Sequence, residues 1–286
     1  QNLDRAYIRA STKMFDFYLG RQPVALGVSL VISPTDVIMP FTFDALDTEE
    51  RRGVDAARLR IPLGTMSEIE ATYIFGEDAE MEQSAGYFRG KFYALETDFS
   101  LTLLEYRKTP LIGLDVMRSI GGAGTWLEAA FVIEEENDDY PRLSAGADYS
   151  FNDETYGFIE YHYNSAGESA PEDYDDNFQK EAYKEGGVYL MAQHYLTLGG
   201  TYQITPLLVP FAQAIFNIND GSFILSPSID YNIAQDIYLS AGAFIGIGEK
   251  PQPADVLFDD AIIPFNLESE FGAYPDMFYT SFRVYF

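Results

Sequence analysis

The side chains able to do chemistry are few. The chain has two histidines and no cysteine in 286 residues. His162 stands two positions from Glu160, which in an extended strand puts both on one face. No serine or aspartate lies at a spacing that would complete a nucleophile and base around it, and His194 falls on the opposite, apolar face of its own run. No Walker loop, dinucleotide fingerprint or Cys/His metal cluster occurs. The chain is therefore not expected to be an enzyme, and neither a cofactor nor a bound metal is required.

What remains is charge at alternate positions. Arg58 and Arg60 flank Leu59 and stand opposite Ala57, Leu59 and Ile61, so the two cations share a face that the apolar side chains leave. Glu68 and Glu70 follow across a short turn, and Arg89 and Lys91 repeat the spacing. Two arrangements are open: a ladder of cross-strand ion pairs that stabilises a wall, or a basic stripe facing an acidic one across a passage. Glu128, Arg142, Asp148, Glu160, His162, Gln193, Asp230, Asp236 and Arg283 fall on the same kind of face. Acids are slightly ahead there, which predicts a weak preference for cations in anything that passes. Tyr195, Tyr238 and Phe244 share that face and would suit either a stacking track for sugars or plain filling.

The net charge of −27 argues against nucleic acid as a partner. Much of the acid is clustered, as in residues 134–139 and 171–177, which predicts solvated loops able to attract divalent cations without any EF-hand spacing.

The elements that would position these groups are strands. Runs of about ten residues alternate apolar and polar character between turn residues, the length a tilted strand needs to cross a bilayer. They fall at residues 54–62, 67–75, 86–95, 99–107, 111–118, 125–133, 142–150 and 155–164, then at 189–203, 207–218, 222–232, 236–248 and 277–286. Weaker ones at 3–10 and 15–21 bring the number to about fifteen. In 236–248, Ile237, Leu239, Ala241, Ala243, Ile245 and Ile247 share one face, and Tyr238, Ser240, Gly242, Phe244 and Gly246 the other. Aromatic residues make up 15% of the chain, 22 Phe and 21 Tyr against one Trp, as an outer apolar band with aromatic girdles requires.

Connections alternate between short ones, such as 63–66, 96–98, 121–124, 152–154, 204–206 and 233–235, and long or acidic ones at 22–53, 76–84, 134–141, 165–187 and 250–276; 108–110 and 219–221 are short exceptions. The segment 22–53 is too apolar for an exposed loop of its length. It is expected to fold inward as a constriction or plug carrying Asp36, Phe41, Phe43 and Asp44, with Pro34 and Pro40 bracketing a helical turn. The alternative is a hairpin that prolongs a strand pair.

The chain ends in FYTSFRVYF, with Phe278, Thr280, Phe282, Val284 and Phe286 on one face. This resembles the C-terminal β-signal of bacterial outer-membrane β-barrel proteins, read by the barrel-assembly machinery. The stretches LGRQ, SPTD and RRGVDAARL also look like segments of large proteobacterial outer-membrane proteins. The resemblance implies an all-β, closed antiparallel transmembrane barrel of about 14–16 strands, one domain over residues 1–286, with short periplasmic turns and long acidic extracellular loops. It implies location in the outer membrane, contact with its lipid and lipopolysaccharide, and a porin-like channel for small hydrophilic solutes. The alternative function is an occluded scaffolding barrel that works through a lipoprotein or another partner of an envelope complex. An odd strand number leaves the first and last strands running the same way. Either a further strand before Gln1 is expected, making sixteen, or residues 3–10 stay outside the barrel, making fourteen.

Overall fold

The computed structural model describes residues 5–38, 53–76, 80, 83–134, 138–184, 187–258 and 261–285. Its strands are β1 (Ala6–Ser11), β2 (Asp16–Gln22), β3 (Val54–Pro62), β4 (Glu68–Ile74), β5 (Ala85–Ala94), β6 (Thr97–Tyr106), β7 (Thr109–Ile120), β8 (Ala123–Val132), β9 (Tyr140–Ser150), β10 (Thr155–Asn164), β11 (His194–Tyr202), β12 (Leu208–Asn217), β13 (Phe223–Ala234), β14 (Ile237–Ile247), β15 (Gln252–Phe258), β16 (Ala261–Asn266) and β17 (Met277–Val284). Fifteen of them form one antiparallel sheet in the order β1 to β14 and then β17, while β15 and β16 pair only with each other. Among the described residues no helix is long and apolar enough to cross a membrane.

The strands form because their side chains alternate, but the alternation is inverted relative to a water-soluble sheet. On β6 the polar Thr102 is 1% exposed, while its neighbours Leu101 and Leu103 are 48% and 50% exposed. On β8 Glu128 is covered, whereas Leu127 and Phe131 face outward; on β10 Glu160, His162 and Asn164 are covered while Ile159 is exposed. Polar groups within and aliphatic groups without is the pattern of a sheet whose outer face meets hydrocarbon.

Tight turns set the register. Leu95 and Glu96 between β5 and β6, and Arg107 and Lys108 between β6 and β7, all have positive φ, as do Gly121 and Gly122 between β7 and β8. Two successive left-handed residues match the right-handed twist of a hairpin, so these pairs close two-residue loops.

Three sequence expectations change. The run 189–203 forms a strand only from His194; before it the Met191 backbone bonds to Glu168 and to the Glu270 carboxylate. The connection 250–276, expected as an acidic loop, contains the β15–β16 hairpin and a short 3-10 turn at Phe271–Ala273. Residues 34–38, expected to begin a helical turn, take no helical structure. The segment near the N-terminus is a sheet strand, β1, with Ala6 opposite Arg21 and Ser11 opposite Asp16.

The chain divides into two compact units. One comprises Gln1–Ala145 with Lys180–Tyr189, the other Gly146–Gln179 with Leu190–Phe286. In the second, Gly200 on β11 faces Gly157 on β10, and a Cβ placed at Gly200 would stand 2.4 Å from the Tyr156 carbonyl oxygen. Backbone cannot give way as a side-chain tip can. Gly200→Val is expected to lower stability by about 2 kcal/mol or more, read from the urea midpoint of the purified protein, whereas an outward change such as Leu198→Val should shift it little.

Candidate functional site

In the first unit the polar face of the sheet carries an irregular strap, residues 23–38. It has no strand or helix of its own, so its backbone groups need partners elsewhere. Glu128 accepts five hydrogen bonds from the strap, three of them from backbone N–H groups. Its Oε2 accepts from the backbone N–H of Val28 at 2.8 Å and of Ser29 at 2.7 Å. Its Oε1 accepts from the Ser33 hydroxyl at 2.6 Å, the Thr35 N–H at 2.9 Å and the Thr35 hydroxyl at 2.7 Å. Hydrogen bonds to a buried charge are each worth about 1.5–3 kcal/mol, though not additively.

Gly27 makes this geometry possible. Its φ is +79°, and a Cβ there would lie 2.4 Å from one Glu128 oxygen and 2.6 Å from the other. The strap is held along its length as well. Arg58 Nη2 donates to the Pro23 carbonyl at 2.6 Å, Arg89 Nη1 to that of Ala25 at 3.1 Å, and Arg142 Nη1 to that of Pro34 at 3.2 Å. The Ser144 hydroxyl donates to the Ile32 carbonyl at 2.6 Å. Val24, Leu26, Ile32, Val37 and Ile38 are all buried, which adds about 1.5–3 kcal/mol apiece as an upper bound. Thr35 sits over Gly113 of β7, where any Cβ would collide with its methyl group.

Beside the strap the charges of β3, β4 and β5 pair with one another. Arg60 bonds Glu68 at 2.6 Å and approaches Glu70 at 3.2 Å. Glu70, 1% exposed, also takes Arg89 at 3.3 Å and the Tyr87 hydroxyl, and Lys91 reaches Glu68 at 3.4 Å. Of the two arrangements open from the sequence, this wall adopts the cross-strand ladder. Its acids and bases interleave and do not form two opposed stripes.

The remaining sequence-selected residues are placed as follows. Asp36 lies buried in the strap, its N–H donating to the Ser33 hydroxyl at 3.2 Å. Phe41, Phe43, Asp44 and Phe286 lie outside the described residues. In the second unit Asp148 accepts from the Tyr156 hydroxyl at 3.0 Å, Glu160 is buried on β10, and Arg283 donates to Asp230 at 3.1 Å and to the Ser240 hydroxyl at 2.8 Å. Phe278, Phe282 and Val284 point outward, 74%, 65% and 46% exposed. The sugar-stacking expectation fails for Tyr195 and Phe244. The first is fully buried with its hydroxyl engaged, and the second is buried against Tyr279 with ring centroids 5.8 Å apart.

The second unit holds a polar cluster that sequence reasoning missed. Glu270, 2% exposed, accepts from the Met191 N–H at 2.9 Å, the Tyr195 hydroxyl at 2.5 Å and the Asn217 amide at 2.8 Å. Asp220 lies alongside, accepting from the Glu270 N–H at 2.8 Å, the Tyr174 hydroxyl at 3.0 Å and the same Asn217 amide at 3.0 Å. Its members lie in three connections, at the start of β11 and at the end of β12, so no local pattern could have marked it. The signal available was only a set of acids and amides near strand ends. Among the described residues no group of three or more His, Cys, Asp or Glu is arranged to hold a metal ion.

Burial, with Asp220 adding to it, pushes the Glu270 carboxyl up to about 7. Because the folded value exceeds the unfolded one, the cluster is most stable below the ordinary glutamate range and loses stability as pH rises toward 7. The expected loss is about 3 kcal/mol between pH 4.5 and pH 7.5, visible as faster exchange of the Met191 amide, and Glu270→Gln should flatten the dependence. For the strap, Glu128→Ala should speed exchange of the Val28, Ser29 and Thr35 amides about a hundredfold or more while sheet amides stay protected.

No family model and no curated protein matches the chain. Solved structures do. Two engineered variants of the porin of Rhodopseudomonas blastica superpose with a TM-score of 0.50 at 12% identity, over 84% of this chain and 83% of theirs. The outer membrane channel DcaP of Acinetobacter baumannii covers 71% of this chain and 82% of its own, with a TM-score of 0.41 at 11% identity. At this identity the likeness to the Rhodopseudomonas porin establishes the fold, an antiparallel β-sheet of porin type.

Proposed function

We propose that this protein is a channel of a bacterial outer membrane through which small hydrophilic solutes diffuse passively, and that the strap at residues 23–38 is its constriction. The observation that carries this reading is the strap itself. It is pinned by five hydrogen bonds to one wall carboxylate and lies across a face lined with charged and hydroxyl groups. A closed barrel gives that face a lumen, and the aliphatic outer face gives it a lipid boundary. The porin identity of the Rhodopseudomonas neighbour supports the same reading. The short turns then face the periplasm and the long acidic connections the outside, where divalent cations bridge them to lipopolysaccharide. The terminal run serves assembly, and excess acid along the lumen favours cations weakly.

Purified protein in planar bilayers is expected to give discrete conductance steps with a reversal potential on the cation side. Removing residues 24–37 should raise the unit conductance several-fold without changing strand content by circular dichroism. Silence from both the intact and the strap-deleted protein would defeat the channel reading and favour a scaffolding barrel that acts through an envelope partner.

A further inference from the structure

The wall beneath the strap contains one lateral row that the pairing makes explicit. Glu68 on β4 is opposite Lys91 on β5, Lys91 opposite Ser100 on β6, Ser100 opposite Asp115 on β7, and Asp115 opposite Glu128 on β8. The two ends of this row are committed. Glu68 and Lys91 form an ion pair at 3.4 Å, and Glu128 is taken by the strap. In the middle stands Asp115, 3% exposed, whose Oδ1 has no hydrogen-bond partner among the described residues. A buried carboxylate oxygen without a donor is costly, and few structures retain one without a use.

Asp115 lines a cavity of about 660 Å³ that extends from Val28 of the strap to the turn between β3 and β4. Ser100 lies beside it, and Val28 and Met117 supply apolar wall. Charged lining residues are Glu68, Asp98 and Asp115 against Arg89 and Lys91, and both cations already have carboxylate partners in Glu70 and Glu68. A carboxylate oxygen that lacks a donor accepts, so a ligand held there must donate. Too few oxygen ligands converge here for a Mg²⁺ or Ca²⁺ shell. A primary ammonium has three donors, which suits one carboxylate and one hydroxyl, and a short alkyl chain suits the apolar wall.

We propose that the cavity under the strap binds small solutes through a primary ammonium group, with Asp115 as the carboxylate that receives it and Ser100 as its neighbour. As the substrate class of the channel this rests on the function proposed above; as a binding site it stands apart from it. The ammonium belongs either to an aliphatic diamine or to an amino acid, in which case Lys91 faces the solute's carboxylate.

Calorimetric titration of the whole purified protein in detergent with 1,4-diaminobutane, glycine and 1-butanol tests the site. Saturable binding of the diamine, of glycine or of both, with none of 1-butanol, is expected. Asp115→Asn should weaken it about tenfold to a hundredfold, and Asp115→Glu should retain it within a few-fold, with circular dichroism unchanged in both. No saturable binding of either ammonium compound, or equal affinity in Asp115→Asn, overturns the proposal. Conductance recorded on the same preparations separates the two readings. Binding that depends on Asp115 in a protein that never conducts removes the channel and keeps the site, while a conducting protein whose ammonium binding ignores Asp115 removes the site and keeps the channel.

Discussion

The meeting of the Glu128 carboxylate with the strap governs the first unit. A carboxylate buried on a strand face is unfavourable unless donors surround it, and an irregular segment is unfavourable unless its N–H groups find acceptors. Each defect is the remedy for the other. Residues 28, 29 and 35 turn their amides to one point because Gly27 takes a left-handed conformation that brings the backbone against the carboxylate. Carbonyls of the strap meet the arginines of β3, β5 and β9. Burial of Val24, Leu26, Ile32 and Val37 then follows from where the polar contacts hold the chain. Apolar burial alone would have held it loosely, since it has no direction.

Arg89 shows how the wall and the strap are coupled. Its guanidinium bonds the Ala25 carbonyl with one nitrogen and Glu70 with another, so the ion-pair ladder of β3 to β5 sets the position of a strap contact. Arg60 and Lys91 complete the neutralisation of Glu68 and Glu70. Partly exposed pairs of this kind add little stability individually. Their consequence is positional, because a guanidinium fixed from one side presents its remaining donors at a defined point.

How much of this the sequence discloses depends on the range of the interaction. Alternation has a period of two and is local, so it located the strands of the sheet, β1 included, and put Arg58, Arg60, Glu70, Arg89 and Glu128 on the polar face. Pairing is lateral and depends on register, which turn geometry at Leu95, Glu96, Arg107 and Lys108 sets and composition does not show. The strap's apolar content marked it as packed, but its anchor stands 93–100 residues further along the chain. Asp115 was legible in principle, alternating with Leu111 and Gly113 against Ile112 and Leu114 in the run 111–118, and was missed because Leu and Gly beside it disguised the polar face. The β15–β16 hairpin was hidden by Pro251, Pro253 and the acids around it, which together look like a loop although proline is tolerated in a strand whose N–H needs no partner.

The two buried carboxylates Glu128 and Glu270 are met by different sets of donors. Three of the five donors on Glu128 are backbone amides and none serves a second acid, so the charge is met by dipoles that cannot turn away. Glu270 has one backbone amide, one phenol that itself accepts from the Ala192 N–H at 2.5 Å, and the Asn217 amide that also reaches Asp220 and the Tyr174 hydroxyl. An amide nitrogen has two hydrogens, and three acceptors surround this one. Burial raises the Glu270 pKa, the Asp220 charge beside it adds to the shift, and a proton there also turns one acceptor into a donor. The strap is therefore built as a fixed element, whereas the cluster around Glu270 is one whose cohesion follows the proton concentration at its strand ends.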